Sequence, residues 1–174
     1  MLDSIPVRLS VLMDTNATQY IAPSLFWMWL FPVTYLIHIA EEYWGGEGYC
    51  AYLYRLRGVH LPLARFFFFQ GLGVVLIVAA IIISLHFKFP RFMLGIFGGL
   101  VLCNGITHTV TALRHGGYGP GLVSCVLIWI PLGLVTLILL QGEMPFLRLL
   151  VASLIGFGIN GAVALLAMRG GRLG

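Results

Sequence analysis

Charge is scarce in this 174-residue sequence: 9% of its residues are Asp, Glu, Lys or Arg, while 60% are hydrophobic and the mean hydropathy is +0.99. Soluble domains carry about 25% charged residues, so this balance excludes one and makes lipid the expected solvent for most of the chain. Cysteine is equally sparse. Cys50, Cys103 and Cys125 form no CxxC pair and two of them lie in apolar runs, which excludes a disulfide framework and a cysteine-based zinc site and leaves packed thiols. The lack of an internal repeat argues against a monomeric transporter. The first nineteen residues hold Asp3, Arg8, Asp14 and Asn16 in place of an unbroken apolar core with a small-residue cleavage site. No leader peptide is expected there, and insertion falls to the first apolar run. The net charge of +4 comes from ten basic residues scattered among loops, a pattern of membrane anchoring that predicts no nucleic-acid partner.

What is abundant is apolar length. A bilayer core of about 30 Å needs about 20 mostly apolar helical residues, and five runs supply them, near 20–44, 66–87, 92–113, 122–140 and 146–168. The runs are continuous rather than alternating, which favours helices over barrel strands. The predicted fold is all-α: one membrane-embedded domain over 1–174, a polytopic bundle of about five transmembrane helices with the lipid bilayer as its partner and a homo-oligomer left open. The long connection 45–65 combines Gly45, Gly46, Gly48 and Pro62 with Arg55, Arg57, Tyr49, Tyr52 and Tyr54, and reads as an interfacial loop. HGGYGPG at 115–121 reads as a tight turn. Alternating helix directions put Arg55, Arg57, Arg65, Arg114, Arg169 and Arg172 on one face, against Arg8, Lys88, Arg91 and Arg148 on the other. The first face, with the C-terminus, is expected to be cytoplasmic.

Ionisable residues in membrane segments are costly and are therefore functional candidates. Among the five runs only the first carries carboxylates, and there Glu41 and Glu42 flank His38 within an arc of about 100°. The third run carries Asn104, His108, Thr111 and His115, spaced four, three and four apart as one polar stripe. His38 lies six residues before Trp44 and His108 six before Arg114, roughly 9 Å each, so the two imidazoles are expected at one depth. Gln70 and Ser124 fall in the same leaflet and Asn160 nearer the middle. With Thr111 they are candidates for a substrate pocket. The competing readings are plain: interfacial acids in water for Glu41 and Glu42, and interhelical hydrogen-bonding glue for the rest. Arg114 and His115 read as interfacial anchors.

His38, Glu41 and Glu42 spell H-x-x-E-E, followed by Asn104, His108 and Tyr118-Gly119-Pro120-Gly121. This resembles the HXXEE-domain family of small bacterial and fungal integral membrane proteins, and the resemblance runs from the first segment to at least the fourth. It implies a multi-pass membrane enzyme, in a bacterium one of the inner membrane, without assigning a reaction or a substrate.

Two mechanisms compete for these residues. In the first, His38, Glu42 and His108 bind zinc as an N2O set with a fourth position open for water. Glu41 acts as general base, and Asn104 orients a ligand or the substrate carbonyl in hydrolysis of a lipophilic small molecule. The pattern is similar to the inverzincin H-x-x-E-H with its last histidine replaced by Glu42 and the missing imidazole brought by the third run. A two-iron carboxylate centre needs more acids than the chain offers. The second mechanism is metal-free: a carboxylate and a histidine whose proton affinities are pushed apart isomerise or cyclise a lipid, terpenoid or sterol-like substrate. Trp27, Trp29, Phe66 to Phe69 and Trp129 are then candidates to stabilise a carbocation, although packing is the commoner use of such residues. A third reading is a non-catalytic membrane module that binds an ion or a small amphiphile.

Overall fold

The computed structural model describes the backbone of residues 21–169 and the side chains of 26–166. The leader-peptide reading, Arg8, Arg172 and the Arg169 side chain lie outside them. Six helices follow in order: α1 (Ile21–Trp44), α2 (Tyr49–Arg57), α3 (Leu63–His86), α4 (Pro90–His115), α5 (Leu122–Gln141) and α6 (Phe146–Arg169). No strand occurs among the described residues. Four of the helices, α3 to α6, are long and apolar enough to cross a membrane.

Helix α4 is central because its small residues let neighbours approach to backbone contact, the usual basis of packing where lipid removes any hydrophobic drive between helices. A methyl group at Gly99 would lie 2.5 Å from the Ser153 carbonyl of α6, and one at Gly156 would overlap the α4 backbone at Ile96 and Leu100. Gly133 of α5 stands equally close to Gly98 and Leu102. Around these crossings Met28 and Phe31 of α1, Ile81 of α3, Leu94 and Phe97 of α4 and Trp129 of α5 form one buried core. The Trp27 indole N–H donates to Thr136 at 2.7 Å, tying α1 to α5, and Arg91 pairs with Glu143 at 2.8 Å at the end away from Glu42. Outward faces remain apolar: Leu76, Leu127, Ile138 and Leu154 are all more than half exposed. Apolar surface on that scale marks contact with membrane or partner rather than water.

The stretch 45–65, expected as an interfacial loop, contains α2 instead. Gly48 precedes it, and Gly58 follows in the left-handed region (φ 64), its N–H closing the helix on the Tyr54 carbonyl at 2.8 Å. Tyr52 and Leu53 turn inward beside a small cluster of Val59, Leu61 and Phe66, while Arg55 and Arg57 occupy the last turn, where cations complement the helix dipole. Helix α5 also departs from regularity. It widens into a π-turn over Cys125–Trp129, with the Ile130 N–H bonding to the Cys125 carbonyl. Pro131 follows immediately and has no N–H to continue an α-helical ladder.

Candidate functional site

His38 and Glu42 lie one turn apart on α1 and are both buried, 1% and 4% exposed. Helix α4 brings His108 against them, so that the two imidazoles meet edge to face with centroids 5.1 Å apart. Glu42 Oε1 stands 3.5 Å from His38 Nε2 and 3.7 Å from His108 Nε2. Its other oxygen accepts from the Gln70 amide of α3, and the Gln70 carbonyl in turn accepts from the Tyr35 hydroxyl at 2.5 Å.

The hydrogen-bond network orients the proton on His38. The Ser124 hydroxyl donates to the Gly121 carbonyl at 3.1 Å, so its oxygen accepts from His38 Nδ1–H at 2.9 Å. A neutral His38 therefore carries its lone pair on Nε2. Nε2 of both imidazoles thus lies close to the Glu42 carboxylate. The indole of Trp129 lies over His38 with centroids 4.0 Å apart, and its Nε1–H is buried without a partner.

Glu41 faces the other way. Oε1 accepts from the Tyr118 hydroxyl at 2.9 Å and the Val123 N–H at 2.8 Å, and Oε2 accepts from the Ser124 N–H at 2.6 Å. These N–H groups open α5, so an acid from the end of α1 caps a different helix and answers its dipole. Burial, then the bond to Glu41, pushes the Tyr118 hydroxyl up to about 12.

The loop before α5 closes the cluster from above. Gly121 sits at φ 86, and a side-chain carbon there would meet His38 Cε1 at 2.6 Å, His108 Cε1 at 3.0 Å and Glu42 Cγ at 3.2 Å. Only glycine suits both the backbone angle and the space.

Of the residues singled out in the sequence, His38, Glu42, His108 and Asn104 come together, with Asn104 Nδ2 at 3.5 Å from His38 Nε2. Thr111 and Asn160 line a cavity of about 100 Å³ on the far side of His108. Gln70 and Ser124, expected in the substrate pocket, instead hold Glu42 and His38. Arg114 and His115 are exposed at the end of α4. The sequence reading overlooked Tyr35, although it shares the α1 stripe with His38 and Glu42, and Gly121, whose signal was a glycine on each side of Pro120. It also overlooked Cys125, whose thiol lies 3.8 Å from His38 Nδ1. Donor atoms of His38, His108 and Cys125 lie within 4.8 Å of one another. The His38 nitrogen facing that thiol is already bonded to Ser124, so the Glu42 side of the ring is the better ligand face.

No curated protein and no solved structure matches the chain. Residues 29–136 match the family described as "Protein of unknown function with HXXEE motif". That span contains His38, Glu41, Glu42, Gln70, Asn104, His108, Gly121 and Ser124 and exceeds half of the chain, which belongs to the HXXEE family.

Proposed function

We propose that the chain is a multi-pass membrane enzyme in which His38, Glu42 and His108 hold a zinc ion for hydrolysis of a lipophilic substrate. The observation that supports this is that the Glu42 carboxylate stands close to Nε2 of both His38 and His108 in a buried cluster. The separations of 3.5 and 3.7 Å are close to the spacing of about 3.3–3.4 Å between ligands set tetrahedrally at about 2.0–2.1 Å from zinc. Two histidines and one carboxylate are a hydrolytic zinc set with a fourth position open. When bound, the ion supplies Lewis acidity and lowers the pKa of a water.

The chain's own residues do the positioning. Gln70 turns Glu42 Oε1 toward the histidines, Ser124 orients the His38 ring, and Asn104, between cluster and cavity, orients a substrate carbonyl. Glu41 is a positioning residue that locks α1 to α5 in this reading, since both its oxygens are engaged and turned from the histidines; the sequence had suggested a general base. Helix α1, with 24 residues, is a fifth span in the same reading, and the face bearing Arg55, Arg57 and Arg114 is cytoplasmic, of the inner membrane in a bacterial cell.

A metal-free acid–base isomerase or cyclase is the second reading. It is favoured by Glu42 lying within reach of both imidazoles, where it can share a proton, and by the indole over His38. Elemental analysis of protein purified in detergent without chelators decides between them. Near-stoichiometric zinc that disappears in His38→Ala and His108→Ala is expected; wild-type protein free of metal overturns the zinc reading in favour of the second.

A further inference from the structure

The cavity beyond His108 has a chemistry that the three-donor cluster does not use. Beside His108 and Thr107, its polar lining includes Arg57, Tyr49, Tyr52, Thr111, Asn104 and Asn160. No carboxylate is among the residues that line it. The two amides make one long bond each, Asn104 to His38 Nε2 and Asn160 to Cys103 Sγ, both at 3.5 Å, so each keeps a second N–H to offer. A chamber rich in donors, lined by one basic residue and by no acid, is complementary to an anion rich in acceptors.

Size decides how much of a ligand enters. About 100 Å³ is well below the roughly 300–1,000 Å³ that encloses a whole drug-sized molecule, so the chamber takes a headgroup and leaves an acyl chain outside. The α6 surface beside it is suited to that chain: Ile159, Val163 and Leu166 are exposed and apolar next to Asn160 and Ala164 of the lining.

We propose that this cavity takes the phosphate head of a single-chain amphiphile whose chain lies along α6. The inference names a ligand class for the site proposed above and does not rest on the hydrolase reading, because binding does not require turnover.

The test uses full-length protein in detergent, stripped of metal by chelator, and fluorescent oleoyl lysophosphatidic acid as the probe. Unlabelled oleoyl lysophosphatidic acid is expected to compete at least about 10-fold better than monooleoylglycerol, which has the same chain and no phosphate. Arg57→Ala is expected to weaken binding by about 10-fold, Arg57→Lys by less, and Asn160→Leu, which keeps the chain surface, to weaken it independently. Monooleoylglycerol competing equally, inorganic phosphate competing at the same concentration as the lipid, or full binding in both Arg57→Ala and Asn160→Leu overturns the proposal. Zinc-loaded protein that ignores the lipid sinks this inference while leaving the zinc reading standing; lipid binding by a chain that never takes up zinc does the reverse.

Discussion

Gly121 leaves no room for a side chain above His38: a carbon added to it would sit 2.6 Å from the imidazole Cε1. The loop before α5 and the histidine of α1 are therefore fitted to one another at the level of a single methyl group. Gly121→Ala is expected to destabilise the protein by about 1–3 kcal/mol, through overpacking and the positive φ together, and to lower zinc uptake by displacing the rings. Thermal unfolding in detergent with elemental analysis of the same sample checks both. An unchanged melting curve with full metal contradicts the packing described.

Glu41 and Glu42 are chemically alike but turned to different tasks, and their variants are expected to separate. Glu41→Ala removes the acceptor that caps α5 and is expected to cost about 0.5–2 kcal/mol of stability while zinc stoichiometry holds. Glu42→Gln is expected to lose the metal, because it replaces the proposed carboxylate ligand beside both imidazoles. The opposite pattern, with metal lost in the first variant and kept in the second, reverses the assignment.

Tyr35 touches neither histidine through a hydrogen bond, yet its hydroxyl fixes the Gln70 amide that holds Glu42. Tyr35→Phe and Gln70→Leu are expected to weaken zinc affinity by about 10- to 100-fold, the usual effect of removing a ligand's hydrogen-bonding partner. Competition with a chromophoric chelator measures this. Affinities equal to wild type in both variants would show that Glu42 needs no such support.

The proposed topology puts Lys88, at the α3–α4 turn, and Arg114, at the end of α4, on opposite sides of the membrane. In intact cells an impermeant maleimide is expected to label a Lys88→Cys variant and to reach an Arg114→Cys variant only after permeabilisation. Labelling of Arg114→Cys alone before permeabilisation inverts the orientation and leaves the site unchanged.

Much of the scaffold is legible in the sequence, because a bilayer demands continuous apolar length and the helix ends fall within three residues of the predicted runs. The pairing of the His38 and His108 levels follows from helical rise alone. Helix α2 is not legible by the same means, since nine residues of mixed character carry too little periodicity, and its packing on Val59, Leu61 and Phe66 decides its state. Nor is the division of labour between Glu41 and Glu42. Adjacent residues on a helix face about 100° apart, and which one meets the α5 terminus depends on a loop more than seventy positions further on. Ser124 and Gln70 were placed in the right layer by depth, but depth does not specify azimuth. Gly121 could be seen as a turn residue; that it also forms the roof of the cluster depends on contacts formed only in the folded bundle.

The capping of α5 by Glu41 also sets an order of events in biosynthesis. The Ser124 N–H that donates to this acid is synthesised 83 residues after it, and at about 5–20 residues per second that is a delay of roughly 4–17 s. Throughout that interval the end of α1 carries two carboxylates and a histidine with neither cap nor roof. Hydrocarbon is a costly solvent for them. In the proposed multi-pass topology, the nascent α1 keeps this end in the headgroup layer or inside the insertion machinery until α5 arrives, and insertion of the fourth apolar run doubles as the step that assembles the site.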